Sequence, residues 1–305
     1  MILMGVVNLT PDSFREDTRA MTAAAVRRRV ESLLERGCGI IDFGAVSTRP
    51  GAAPVPIETE WQRLQPAIDL ICTDGRLAAA PETGGIPSQD LRHPGSPEKS
   101  GDFSGNHPRL RGRGPSFSMG GSELPGSAGS AAVKGGIPSV SVDTTSAEIV
   151  QRVYGRIGRF IVNDISAGED DPQMLPTVAE LGLPYIAMHK RGNPRSMDSL
   201  TDYPQGVVAA VDGYFRDFAA RAEELGVSEW ILDPGFGFAK SAEQNWELLE
   251  NLPALRHFGR PILVGVADKR FTRTSNPFAA EGPASGSAYA ERLAGERGAD
   301  ILRIH

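Results

Sequence analysis

The chain has 305 residues with a formal net charge of −6 at pH 7; 40% of its residues are hydrophobic and 23% are charged. This composition is that of an ordinary globular protein, and the acidic balance argues against a nucleic-acid partner. No apolar run approaches the roughly 18 residues that a membrane span needs, and the apolar start Met1–Val7 lacks the basic residues of a signal peptide. Two cysteines, Cys38 and Cys72, cannot form a disulfide framework, so we expect a cytoplasmic protein.

Short apolar runs alternate with longer amphipathic stretches along the chain, which predicts a parallel sheet whose strands are connected by helices. Eight strands are predicted, at Leu3–Val7, Ile40–Phe43, Val140–Val142, Phe160–Asn163, Tyr185–Met188, Trp230–Leu232, Ile262–Val264 and Ile301–Ile304. Helices are predicted between them, at Thr22–Arg36, Ile57–Ile71, Ser146–Tyr154, Pro172–Leu181, Val207–Leu225, Ala242–Leu249 and Ser287–Glu296. Eight strands favour a closed (β/α)8 TIM barrel of the α/β class over an open sheet.

The segment Thr73–Gly136 differs in composition from the rest of the chain. It holds 14 Gly, 9 Ser and 7 Pro in 64 residues, and its apolar residues are isolated. Such a segment buries too little apolar surface to offset the entropy cost of ordering, so we expect a disordered insertion within a single domain spanning residues 1–305. It lies between the second helix and the third strand, and helix-to-strand loops lie at the end of a barrel opposite the active site.

Polar residues follow the predicted strands. They are Asn8, Asp42, Asp143, Asn163-Asp164, Met188-His189, Asp233, Asp268-Lys269 and Arg303-Ile304-His305. In a barrel, the carboxyl ends of the strands meet on the face that carries the active site. The sequence therefore predicts a polar site at that face, although strands also end at polar residues for purely structural reasons.

Three of these residues, Asp143, Asn163 and Asp233, are short hydrogen-bonding groups on separate strands. Such a set suits a flat heterocycle that presents several N–H groups, because a carboxylate accepts two parallel hydrogen bonds. The structural alternative for Asp143 is a helix N-cap, a role for which Ser146 competes. The alternative for Asp233, which precedes Pro234, is a turn.

A second group is cationic and suits a phosphate-bearing substrate: Arg49, Lys269, Arg303 and His305. Asn8 offers a neutral oxygen of the kind that Mg²⁺ accepts when water and substrate phosphates supply its other ligands. Phe14, Pro50 and Phe238 are apolar residues in predicted loops that could clamp an aromatic ring. The alternative for the basic residues is that they are solvated surface charges, and the alternative for the three apolar residues is ordinary packing within the loops.

Six segments, taken in chain order, resemble the dihydropteroate synthase family of the folate pathway. They are Met4-Gly5-Val6-Val7-Asn8-Leu9-Thr10-Pro11-Asp12-Ser13-Phe14, Ile41-Asp42-Phe43-Gly44-Ala45-Val46-Ser47-Thr48-Arg49-Pro50-Gly51, Ser141-Val142-Asp143-Thr144, Val162-Asn163-Asp164-Ile165-Ser166, Leu232-Asp233-Pro234-Gly235-Phe236-Gly237-Phe238-Ala239-Lys240 and Gly298-Ala299-Asp300-Ile301-Leu302-Arg303-Ile304-His305. The resemblance covers some 240 residues and implies a pterin-binding (β/α)8 barrel.

The resemblance implies an enzyme that condenses 6-hydroxymethyl-7,8-dihydropterin diphosphate with p-aminobenzoate, with Mg²⁺ as cofactor and a homodimer as a possible assembly. It implies catalytic roles for Lys269, Arg303, His305 and Arg49. Substrate-binding roles are implied for Asp143, Asn163, Asp233, Lys269 and Arg303 toward the pterin, and for Thr48, Arg49, Pro50, Phe14 and Phe238 around p-aminobenzoate. Met188 is also expected to bind substrate. Asn8 would bind the metal and, with Arg303 and His305, line the diphosphate site.

The sequence departs from the family pattern in three places. After the seventh strand it has Ala267-Asp268-Lys269-Arg270, where the family has Ser-Arg-Lys-Ser, and the first loop reads Arg15-Glu16-Asp17-Thr18 without the family's glycines. The family continues beyond the position of His305 with an Asp and a last helix, so a missing final helix is expected. A catalytically impaired or non-catalytic pterin-binding homologue and a pterin-binding methyl-transfer domain are alternatives, although Ser47-Thr48-Arg49-Pro50-Gly51 favours the synthase.

Overall fold

The computed structural model describes residues 1–10, 22–46, 54–77, 139–192, 200–274 and 283–305. In these ranges the strands are β1 (Ile2–Asn8), β2 (Ile40–Gly44), β3 (Ser139–Asp143), β4 (Ile161–Asp164), β5 (Tyr185–Met188), β6 (Trp230–Asp233), β7 (Leu263–Val264) and β8 (Ile301–Ile304). The helices are α1 (Ala23–Glu35), α2 (Ile57–Thr73), α3 (Ala147–Ile157), α4 (Met174–Glu180), α5 (Val207–Leu225), α6 (Ala242–Glu250), a 3₁₀ helix (Leu252–Phe258), α7 (Arg270–Thr274) and α8 (Pro283–Glu296).

The strands form one parallel sheet that closes on itself. Its order is β6-β5-β4-β3-β2-β1-β8-β7. A parallel bridge between Leu232 and Ile262 joins the two outer strands, and the amide of Leu232 donates to the carbonyl of Pro261 at 2.9 Å. The predicted (β/α)8 barrel is therefore confirmed. No helix in the described part of the chain has the length and apolar character needed to cross a membrane.

Local sequence sets where several helices begin. The side chain of Thr22 accepts a hydrogen bond from the amide of Ala25 at the start of α1. Ser241 and Gln244 form a reciprocal capping box at the start of α6. Such caps satisfy amide groups that have no partner inside the helix, so they fix where the chain turns from a strand-end loop into a helix.

Two elements were not predicted from the sequence, and several helix boundaries are displaced by one to four residues. The 3₁₀ helix Leu252–Phe258 and the helix α7 Arg270–Thr274 are too short for a periodic apolar pattern. Helix α8 begins at Pro283, four residues before the predicted start at Ser287. These differences leave the order of strands and long helices as predicted.

The start of the segment Thr73–Gly136, predicted to be disordered, belongs to the packed structure. Thr73 is the last residue of α2, and Leu77 is 2% exposed. Between them, Nη2 of Arg76 lies 2.8 Å from Oδ2 of Asp74. The boundary was placed too early because composition was averaged over a long stretch, and residues 78–136 lie outside the described residues.

Aromatic side chains join helix α5 to strands β5 and β6. The ring of Phe218 stacks on Tyr185 at 6.0 Å between centroids and meets Trp230 edge-on at 5.1 Å. Phe215 also stacks on Trp230, at 6.3 Å between centroids. Because β5 and β6 end at the candidate site, this cluster fixes the strands that carry part of it.

We predict that Phe218→Ala lowers the free energy of unfolding by about 3–5 kcal/mol, since Phe218 is fully buried and its removal leaves a cavity. Leu225→Ala on the same helix, where the side chain is 41% exposed, is the control and should cost less than about 1 kcal/mol. Urea unfolding measures both variants. Equal losses would contradict the assigned packing of α5.

Candidate active site

A cavity opens at the carboxyl ends of the strands. Eight residues predicted from the sequence as site residues line it: Asp143, Asn163, Met188, Asp233, Phe238, Lys269, Arg303 and His305. Five further residues complete the lining: Ile165, Gly235, Phe236, Gly265 and Ala267. The structure thus brings together side chains from β3 to β8 and from the loops that follow them.

The remaining predicted site residues are not part of this lining. Asn8 is exposed at the end of β1, two strands away from Asp143: Asn8 is in register with Gly44 on β2, and Gly44 with Asp143 on β3. Phe14, Thr48, Arg49 and Pro50 lie outside the described residues. Within the described ranges no cluster of three or more His, Cys, Asp and Glu side chains could hold a metal ion.

Asp42 is the centre of a hydrogen-bond network beneath the cavity. Its side chain is fully buried, and its Oδ1 accepts from the hydroxyl of Ser141 at 2.8 Å. Its Oδ2 accepts from Nδ2 of Asn163 at 3.2 Å and from Nε and Nη2 of Arg303 at 3.0 and 2.8 Å. The network therefore connects β2, β3, β4 and β8 through one carboxylate.

Arg303 also reaches the next carboxylate. Its Nη2 lies 3.2 Å from Oδ2 of Asp143, so the guanidinium sits between two acidic side chains. Burial raises the pKa of Asp143, and the Asp42 charge raises it further, while Arg303 acts in the opposite sense. Ser146 caps α3 by accepting from the amide of Ile149, so Asp143 is not the helix cap.

Asp233 ends strand β6 on the far side of the cavity. Its Oδ1 accepts a hydrogen bond of 2.8 Å from the amide of Gly235, which fixes the carboxylate plane. Burial raises the pKa of Asp233, while the backbone hydrogen bond from Gly235 and the charge of Lys269 lower it. Asn163, whose Nδ2 is committed to Asp42, presents Oδ1 as its acceptor for a ligand.

Lys269 and His305 line another part of the cavity. Nζ of Lys269 lies 4.9 Å from the centre of the Phe238 ring, a cation–π contact. Burial, followed by the Arg303 charge, lowers the pKa of Lys269. Burial and the charges of Arg303 and Lys269 also lower the pKa of His305. These effects disfavour the charged form of the imidazole, which the sequence interpretation assumed for His305.

The arrangement matches a particular kind of ligand. Acceptors at Asp143, Asn163 and Asp233 suit a flat ring with several N–H groups, and the cations at Lys269 and Arg303 suit an attached anionic group. The sequence identified these residues because each ends a strand. It named Asp42 and His189 only as residues that follow strands, and it did not identify Lys240, which contacts His189 across 51 positions of the chain.

Comparisons with known proteins fit this geometry. The sequence profile of the pterin binding enzyme family matches residues 4–77 and 131–305. The dihydropteroate synthase of Escherichia coli (strain K12) is 30% identical over 305 residues, with 99% of this chain and 86% of that protein covered. The dihydropteroate synthase of Synechocystis sp. is 31% identical over 308 residues, with 99% and 84% covered. The structure of Xanthomonas albilineans dihydropteroate synthase with 4-aminobenzoic acid has a TM-score of 0.68 and 29% identity, and the match covers 100% of this chain and 87% of that one.

We predict that Asp42→Asn lowers the free energy of unfolding by about 3 kcal/mol, because it removes one partner of a buried ion pair and keeps the side-chain volume. Asp69→Asn is the matched control, since the Asp69 and Arg156 side chains of its ion pair are 64% and 44% exposed. The control should cost less than about 1 kcal/mol. Urea unfolding measures the free energy of unfolding of both variants. An Asp42 variant as stable as the Asp69 variant would refute the network.

Proposed function

Because the chain belongs to the pterin-binding enzymes, and among them to the dihydropteroate synthases, we propose that it condenses 6-hydroxymethyl-7,8-dihydropterin diphosphate with p-aminobenzoate. The products are 7,8-dihydropteroate and diphosphate. The observation that carries this function is the convergence of Asp143, Asn163 and Asp233 with Lys269 and Arg303 in one cavity at the strand ends.

Recognition of the pterin follows from its hydrogen-bonding edge. The 2-amino group and the neighbouring ring N–H are two parallel donors, which an ionised carboxylate accepts as a pair. Asp233, oriented by the amide of Gly235, and Asp143, oriented by Arg303, are the carboxylates of this cavity. Lys269 supplies a donor for the carbonyl group of the ring, and the planar guanidinium of Arg303 can stack on it.

The reaction needs charge stabilisation more than a protein nucleophile. The bond between the pterin methylene carbon and the diphosphate oxygen breaks, and its electron pair leaves with the diphosphate. The pterin ring stabilises the positive charge on the methylene carbon until the arylamine nitrogen forms the new C–N bond and loses a proton. Lys269 and Arg303 stabilise the departing negative charge because they are held in place before the reaction begins.

We also propose a Mg²⁺ ion that neutralises the diphosphate. The exposed amide of Asn8 fits it as one oxygen ligand, because Mg²⁺ keeps several waters and binds substrate phosphates directly. When bound, the ion would lower the charge on the leaving group. Titration of the wild type and Asn8→Ala with Mg²⁺ in the presence of diphosphate tests this, and equal affinities would remove Asn8 from the site.

We further propose that p-aminobenzoate binds beside Phe238. Phe238 lines the cavity beside Lys269, so its ring can pack against the aromatic ring of the second substrate. Arg49, Thr48, Pro50 and Phe14 are assigned to the same subsite through the resemblance. We also propose that the protein is located in the cytoplasm, which cell fractionation tests. Assembly as a homodimer is proposed as well, and sedimentation velocity tests it.

Product formation from the two substrates and Mg²⁺ tests the proposed function directly. Dihydropteroate release with a matching amount of diphosphate supports the synthase. Binding of the pterin diphosphate without turnover would favour a non-catalytic pterin-binding homologue. Methyl transfer from a methylated pterin to a corrinoid acceptor, with no dihydropteroate, would favour the methyl-transfer alternative.

We predict that Asp143→Asn weakens pterin binding at least tenfold at pH 8, since a hydrogen bond to a charged group is worth about 1.5–3 kcal/mol. The pKa of Asp143 is raised, so the wild-type carboxyl gains its proton as the pH falls toward 5.5 and loses its advantage over Asn. Calorimetry at both pH values should therefore show a ratio of dissociation constants that shrinks at pH 5.5. Asp69→Asn is the control, and a ratio that does not change with pH would contradict the role of the Asp143 charge.

A further inference from the structure

The loop between β6 and α6 follows an unusual path. Gly235, Gly237 and Ala239 have φ angles of 69°, 79° and 51°, so every second residue is left-handed. A Cβ at Gly235 would lie 2.0 Å from the carbonyl oxygen of His189, which excludes any side chain there. The left-handed conformation is unfavourable for an alanine, so other contacts must hold the loop.

Lys240 supplies those contacts from inside the loop. Its side chain is 6% exposed, and Nζ donates to the carbonyls of Gly235 and Phe238 at 2.9 and 3.1 Å. The third neighbour of Nζ is Nδ1 of His189 at 2.9 Å. An ammonium group has three N–H donors, and here three acceptors surround it.

His189 acts as a neutral acceptor in this arrangement. It is 2% exposed, and burial together with the Lys240 charge lowers the pKa of His189 well below its usual value. Its backbone amide donates to the carbonyl of Asp233 at 2.9 Å, so the end of β5 is fixed to the end of β6. The proton of the neutral imidazole then belongs on Nε2, which leaves Nδ1 to accept from Lys240.

Other charges also face the amine. Asp233 raises the pKa of Lys240, while Arg191 after β5 and Lys269 after β7 lower it. Burial has the largest effect and brings the pKa of Lys240 to about 7. A neutral amine keeps two donors and loses the charge, and neutral hydrogen bonds are roughly half as strong as charge-assisted ones.

We propose that Lys240 is a positioning residue of the pterin site, whose buried ammonium group holds the loop Asp233–Lys240 in the conformation that places Asp233 and Phe238. Lys240 acts through the loop, because Asp233, Gly235, Phe236 and Phe238 line the cavity and Lys240 does not. The carbonyl of Gly235 accepts from Lys240, and its amide donates to Asp233, so one peptide segment connects the amine to the pterin-binding carboxylate.

The outer side of the loop has separate supports. The amide of Gly237 donates to Oδ1 of Asn245 at 2.7 Å, and the hydroxyl of Tyr203 donates to the carbonyl of Ala239 at 3.0 Å. Helix α6 keeps its own capping box at Ser241. Removal of the Lys240 amine is therefore expected to loosen the inner half of the loop and to leave the barrel folded.

The test compares Lys240→Met with the wild type and with Lys190→Met, a control that removes the charge of a lysine paired with Asp170. This proposal rests on the proposed function, because its first readout is calorimetric binding of 6-hydroxymethylpterin, which carries no diphosphate charge. We expect Lys240→Met to bind at least tenfold more weakly at pH 6 and the control to bind within twofold of the wild type. Hydrogen exchange should rise in peptides that cover residues 234–239 and stay unchanged in those that cover β3 and β4.

The pH dependence separates positioning from general stability. The ratio of the Lys240→Met and wild-type dissociation constants should fall at least threefold between pH 6 and pH 9, because the wild type loses the ammonium charge over that range. If Lys240→Met does not fold, His189→Leu replaces it as the test variant. It removes one of the three acceptors around Nζ of Lys240, so we expect it to weaken pterin binding about threefold. A wild type that binds no pterin refutes the proposed function. The role of Lys240 is overturned if the wild type binds pterin and the folded Lys240→Met variant has a dissociation constant within twofold of it, with unchanged hydrogen exchange in the loop.

Discussion

The cavity depends on the two ion pairs that the guanidinium group of Arg303 forms with Asp42 and Asp143. The Asp42 side chain is fully buried and that of Arg303 is 23% exposed, so each charge needs the other. The three side chains come from β8, β2 and β3, and their contact fixes these strands at the mouth of the barrel. The same contact influences ligand binding, because Asp42 raises and Arg303 lowers the pKa of Asp143.

The two sides of the cavity are supported in different ways. Asp143, Asn163 and Arg303 stand on strands, and the Asp42 network orients them. Phe238 and Lys269 stand on loops that contain left-handed residues, and the buried amine of Lys240 donates to the carbonyl of Phe238. The strand side therefore depends on contacts between strands, and the loop side depends on contacts within and around each loop.

Much of the fold could be predicted because strands buried on both faces read as continuous apolar runs. All eight strands were found this way, whereas a five-residue helix such as α7 has no periodic pattern to detect. The site residues Asp143, Asn163 and Asp233 were found because they end strands. The partnership of Asp42 with Arg303 spans 261 positions in the chain, and the burial of Lys240 follows from the path of its loop, so neither leaves a local pattern.

The segment after β7 shows how a change of sequence can be explained by local geometry. Asp268 is exposed, has a φ of 54°, and donates its amide to the hydroxyl of Ser287 at 3.1 Å. Aspartate tolerates the left-handed conformation better than most residues, so it suits this turn. Its charge raises the pKa of His305, while its neighbour Ala267 lines the cavity without a polar group. Asp268 is thus explained by the turn it occupies, and the cations Lys269 and Arg303 still face the cavity that binds the substrate.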